Sequence, residues 1–145
     1  MHKPDPVQNY LDQLEKTIAQ ISREDVWSII QELMVAWRKQ KQIFLLGNGG
    51  SSATASHMAN DLNKLTIIDG KPRFRAMALS DNIPLMTAWA NDTDYKNIFV
   101  EQMLNFIQTG DVVIGISCSG NSGNVLKAFE VAKSFSAVTI AFTGD

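Results

Sequence analysis

Two short loops in this sequence carry groups suited to holding an anion. The first is Gly47-Asn48-Gly49-Gly50-Ser51-Ser52, and the second is Ser117-Cys118-Ser119-Gly120-Asn121-Ser122. Glycines in the first let the backbone approach a ligand closely and take positive φ. The hydroxyls of the second, with no Arg or Lys in the loop, suit a phosphate held by many hydrogen bonds rather than by charge. Each loop runs into a helical pattern, whose free N–H groups and positive dipole end favour the same kind of ligand. A tight strand-to-helix turn would account for the first loop by itself, and an N-cap by Ser119 or Ser122 for the second. Two loops on one plan strengthen the ligand reading. The first is not a Walker A loop, because no Gly-Lys-Ser/Thr follows, and as G-x-G-x-x-S it is an imperfect dinucleotide fingerprint. His57 and Asp61, four apart, fall on one face of the following helix. Taken alone, that spacing describes a hydrogen-bonded surface pair.

The elements that must position these residues follow from periodicity. Val7, Leu11, Leu14, Ile18 and Ile21 form one helical stripe. Ser22 reads as the N-cap of a second helix, with Val26, Ile29, Ile30, Leu33, Met34 and Trp37 on one side and cations at its end. The period then changes. Gln42–Leu46 is a short continuous apolar run, the pattern of a buried parallel strand. A helix over about Ser52–Leu65, a strand over Arg75–Leu79 and a helix from about Pro84 follow. Asn91–Asp94 interrupts, and Tyr95–Phe106 reads as one further helix. A strand over Asp111–Ile116, a helix over about Gly123–Phe135 and a strand over Ala137–Phe142 complete the pattern. Alternating strands and helices predict an α/β fold, a three-layer α/β/α open parallel sheet in flavodoxin-like order behind two N-terminal helices. Ligands in such sheets bind outside the carboxyl ends of the strands, where both loops fall.

With 145 residues, 45% hydrophobic and 19% charged, the chain suits one globular domain with a real core. A net charge of −2 gives no electrostatic case for nucleic acid. Cys118, the single cysteine, has no internal disulfide partner, which is compatible with a reducing cytoplasm. No run approaches the length of a membrane helix and no signal core is present, so a cytoplasmic setting without membrane is expected. Trp27, Trp37 and Trp89 read as core or interface residues.

GNGGSS after one strand and ISCSGNSGNVLKA after a later one resemble the sugar isomerase (SIS) family. Within it, the chain resembles the phosphoheptose isomerase group from about Tyr10 to Asp145. Ala90-Asn91-Asp92 before Asn97-Ile98-Phe99 matches that group's pattern as well. The resemblance implies a phosphate held by Ser51, Ser117, Ser119 and Ser122, with Asn48, Gly49 and Gly50 nearby. Asn91 and Asp92 would face the sugar, Asp92 contacting hydroxyls, and Cys118, where threonine is common, would present mainly backbone. The group carries His-x-x-x-Glu where this chain has His57 and Asp61, the His a zinc ligand and the Glu both ligand and proton-transfer base. Asp also ligates zinc but is one methylene shorter.

The resemblance implies an aldose–ketose isomerase taking sedoheptulose 7-phosphate to a heptose 7-phosphate for surface-polysaccharide or lipopolysaccharide synthesis. The alternative it leaves open is a non-catalytic SIS module, a phosphosugar sensor or a protein-partner module of the replication-initiator-associating type. A homotetramer with shared sites is implied, the N-terminal helices packing between subunits. In the group a Gln and a His from a later helix complete the site. Residues 1–145 are therefore expected to form one SIS domain, with a helical extension to about residue 41, lacking its last strand and C-terminal helix.

Overall fold

A computed structural model describes residues 5–144. The chain forms two compact units, Met1–Gln31 and Glu32–Asp145.

The first unit holds α1 (Pro6–Gln20) and the first half of α2 (Arg23–Arg38). Proline suits the first turn of α1, and the Asp5 carboxylate accepts from the Val7 N–H at 3.0 Å. Ser22 caps α2 as its type predicts, its Oγ accepting from the Asp25 N–H at 3.1 Å. The stripe of α1 is helical as expected but exposed along its whole length, and no α1 residue is buried. Trp27, expected in a core or an interface, is 60% exposed. It lines an open apolar depression with Ile18, Ile21, Val26 and Ile30.

The second unit is the α/β body. Its strands are β1 (Gln42–Gly47), β2 (Arg75–Ala78), β3 (Val112–Ser117) and β4 (Val138–Thr143). All pair in parallel, in the order β2-β1-β3-β4. The helices between them are α3 (Gly50–Lys64), α4 (Ile83–Asp92), the short α5 (Val100–Met103) and α6 (Gly123–Ser134). Right-handed crossovers place α3 on one face and α4 to α6 on the other. The side chains of β1 report both faces: Phe44 and Leu46 join Leu79, Phe99, Met103 and Val125 in one core. Ile43 and Leu45 point the other way and are equally buried, with Ala55 and Ala59 of α3 buried as well. A strand covered on both sides is why Gln42–Leu46 reads as a continuous apolar run.

One expected helix is not there. Tyr95–Phe106 is a single 3₁₀ turn, Tyr95–Asn97, followed by the four residues of α5. The Asp94 carboxylate accepts from the Lys96 N–H at 2.7 Å and tightens the turn. Ile98, Phe99 and Val100 are then all buried. Three consecutive buried side chains need burial around the whole chain, which one helical stripe does not give. The break before this segment comes slightly later than expected: α4 runs through Asn91 and Asp92 and ends at Thr93, whose hydroxyl bonds back to the Trp89 carbonyl at 2.7 Å.

At the amino ends of the strands, buried Asp111 accepts from the Gln42 N–H at 2.9 Å and from the Gln108 N–H at 2.8 Å. The opposite, carboxyl ends carry the two loops.

Candidate functional site: two anion loops joined by an amide pair

The glycines of the first loop have different tasks. A Cβ on Gly47 would stand 2.8 Å from the Ser51 carbonyl and 2.9 Å from the Ile116 oxygen, so only glycine lets α3 start this close to β1 and β3. Gly49 has φ +54 and is the N-cap of α3. With the turn made there, α3 begins at Gly50 rather than at Ser52. The Ser51 N–H already donates to the Asn48 carbonyl at 3.0 Å, and the Ala53 N–H to the Gly49 carbonyl at 3.2 Å. The backbone N–H groups of Gly49 and Gly50 precede the first of these bonds and have no partner among the described residues.

In the second loop Ser117 ends β3 and is only 5% exposed. Its Oγ lies 3.0 Å from the Ser122 Oγ. Ser122 is the N-cap of α6 by position, yet its side chain caps nothing. That hydroxyl is turned inward to Ser117, and the N–H groups of Gly123 and Asn124 precede the first bonds of α6, which run to the Ser122 carbonyl from Val125 and Leu126. Ser119 Oγ accepts from the Asn121 N–H at 3.3 Å. The Cys118 carbonyl accepts from the Gly144 N–H at 3.1 Å, so its backbone is engaged while the free thiol side chain is exposed.

The two loops are tied together by Asn48, expected near the phosphate, and by two residues the sequence did not single out, Asn124 and Tyr95. Asn48 donates to Asn124 Oδ1 at 2.9 Å, and Asn124 donates to Asn48 Oδ1 at 2.8 Å. Tyr95 OH donates to the same Asn48 oxygen at 3.0 Å. The sequence signal for Asn124 was its place in the first turn after the second loop; Tyr95 offered none. The second loop is also not free of basic side chains in space. The stem of Lys96 lies along Gly123, its Cε, Cγ and Cδ 3.4, 3.5 and 3.7 Å from where a Cβ would stand.

The remaining predicted residues make their hydrogen bonds and ion pairs outside this cluster. Asn91 donates to Asp92 at 2.8 Å at the exposed end of α4. His57 and Asp61 stand on the outer face of α3, Nε2 and Oδ2 3.4 Å apart, with Ala53, Thr54 and Met58 around them. Among the described residues, no hydrogen bond joins either pair to the loops. Two ligands on a tetrahedral zinc, each about 2.0–2.1 Å from the metal, are about 3.3 Å apart. The His57–Asp61 separation fits that edge. No third His, Cys, Asp or Glu joins them among the described residues.

Comparison with known proteins places this geometry. The SIS domain family pattern matches residues 8–144. A phosphoheptose isomerase of Clostridium acetobutylicum is 41% identical over 83% of this chain, which spans 61% of that relative's length. One from Thermodesulfovibrio yellowstonii is 38% identical over 99% of the chain and 72% of the relative. The solved phosphoheptose isomerase GmhA of Neisseria gonorrhoeae superposes with a TM-score of 0.85 at 28% identity, covering 96% of this chain and 73% of that one. The chain belongs to the SIS domain family and, within it, to the phosphoheptose isomerase group.

Proposed function

We propose that this protein is a phosphosugar isomerase interconverting sedoheptulose 7-phosphate and D-glycero-D-manno-heptose 7-phosphate. The observation that carries this reading is the convergence of two uncapped loop–helix junctions, clasped by Asn48 and Asn124, in a chain 38% identical to a phosphoheptose isomerase over nearly its whole length. Ser51, Ser117, Ser119 and Ser122 hold the phosphate with the free N–H groups of the two helix starts. Asn91 and Asp92 face the sugar hydroxyls. Asp61 takes a proton from C1 of the ketose to give the cis-enediol and then delivers a proton to C2, while the hydroxyl proton on O1 is given up and one is taken up at O2. His57 and Asp61 supply two ligands to a zinc, which when bound stabilises negative charge on the enediol oxygens.

The exposed stripe of α1 supports contact between subunits, because apolar area of that kind is normally covered, and the assembly we propose is a homotetramer. Among the described residues no helix is long and apolar enough to cross a membrane. A cytoplasmic enzyme feeding heptose into surface-polysaccharide or lipopolysaccharide synthesis is the setting we propose.

One feature favours a second reading, a phosphosugar-binding regulatory module: the carboxylate partner of His57 is the shorter Asp61. The test is turnover. The intact protein, given sedoheptulose 7-phosphate with and without zinc, is expected to form an aldose, faster with the metal. Saturable binding without any aldose would favour the module instead.

A further inference from the structure

We infer that Lys96 is the charge-bearing residue of the phosphate site, making it selective for a dianionic phosphate monoester over the unphosphorylated sugar. The inference rests on the phosphosugar reading above.

The 3₁₀ turn that carries Lys96 bridges the first loop and the first turns of α6. Tyr95 reaches the first loop through Asn48. Asn97 Oδ1 accepts from Lys127 Nζ of α6 at 2.5 Å. The Lys96 N–H is held by Asp94. Between these anchors the Lys96 stem crosses Gly123, the first residue of α6 and the neighbour of Ser122. Glycine leaves room there for the stem to lie flat on the helix start.

Electrostatically this is the wrong place for an unpaired cation. A helix N-terminus carries partial positive charge and favours acidic neighbours. The first turn of α6 has no acidic residue. Lys64 and Lys133 follow the usual rule, sitting in the last turns of α3 and α6. Lys96 breaks it, and its ammonium has neither an ion pair nor a hydrogen bond among the described residues. The Gly123 and Asn124 N–H groups and the Ser122 hydroxyl gain from an anion with several acceptor oxygens, and Lys96, exposed and with its stem across Gly123, carries its charge at the same helix start. The serine hydroxyls count oxygens but carry no charge. Lys96 adds the term that separates a phosphate from a neutral hydroxyl group.

The assignment is tested by calorimetric titration of the intact protein with inorganic phosphate, comparing wild type, Lys96→Met and Lys96→Arg at low and at moderate salt. Methionine keeps the stem over Gly123 and removes the charge. The expected result is about tenfold weaker phosphate binding by Lys96→Met, in line with the loss of one charge-assisted hydrogen bond. Its salt dependence should be flatter than that of wild type, and its thermal midpoint unchanged. Lys96→Arg should stay within about threefold of wild type, because it keeps the cation. Equal affinity and equal salt dependence in wild type and Lys96→Met would overturn the role of Lys96 while leaving the phosphate site standing. A folded wild type that binds no phosphate would overturn the site and the role of Lys96 together.

Discussion

Asn48 and Asn124 exchange two hydrogen bonds, of 2.9 and 2.8 Å, across the gap between the first loop and the start of α6. The pair fixes the distance between the two loop–helix junctions, and Tyr95 locks the orientation of one amide through its oxygen. Either side chain truncated alone leaves its partner, buried Asn124 or half-buried Asn48, with unmet donors and acceptors. Asn48→Ala and Asn124→Ala are each expected to cost about 1–3 kcal/mol of stability. The double variant should cost less than the sum, with a coupling of about 1 kcal/mol or more in a denaturant double-mutant cycle. Strict additivity would show that the amides act independently.

Gly47→Ala tests the packing of the first junction. Its new Cβ would stand 2.8 Å from the Ser51 backbone, which no side-chain rotation relieves. A loss of about 1–3 kcal/mol is expected, as for other overpacked sites, together with weaker phosphate binding, because α3 must move with Ser51. A thermal melt and a phosphate titration on one sample separate the two effects. An unchanged melt would show that the junction yields freely.

Asp111→Ala is the complementary case. Asp111 lies at the far ends of the strands and satisfies two backbone N–H groups in a buried position. Removing it should cost about 2–3 kcal/mol of stability and leave phosphate affinity unchanged in protein that is still folded. Weaker binding at full folding would mean that the two ends of the sheet are coupled.

The hydroxyls of the second loop differ in burial, and that predicts a split. Ser117 is buried and bonded to Ser122, whereas Ser119 is exposed. Ser117→Ala should lower both stability and phosphate affinity. Ser119→Ala should lower affinity alone, by about five- to tenfold, as expected for one lost hydrogen bond. Titration and melting of the two variants decide the matter, and a Ser119→Ala protein that binds as well as wild type would remove that residue from the site.

The strands and the two loops were legible in the sequence for a physical reason. A strand buried on both faces must be apolar without interruption, as Ile43–Leu46 is, and a junction that brings a helix start against two strands must contain a glycine such as Gly47. Tyr95–Phe106 misled because its middle, Ile98–Val100, is buried all round and shares its residue types with a helix; tertiary packing, not period, set its form. Asn124 and Lys96 could not be read from spacing. Their roles come from the approach of α6 to segments distant in the chain, the amide partners being 76 residues apart. His57 and Asp61 fell on one helical face as their spacing required, and no hydrogen bond among the described residues carries that pair to the serine loops.

The central claim is that this site moves a proton between adjacent carbons of a bound sugar phosphate, and deuterium tracing tests it most directly. The intact protein, with zinc, is incubated with sedoheptulose 7-phosphate in D₂O and the sugars are followed by NMR. Wild type is expected to form the aldose, with deuterium at C2 to the extent that the proton held on Asp61 exchanges with solvent; Asp61→Asn is expected to form no aldose, although it still binds inorganic phosphate. Saturable binding of sedoheptulose 7-phosphate by wild type, with no aldose formed and no deuterium at C1 or C2 of the recovered sugar, would contradict it.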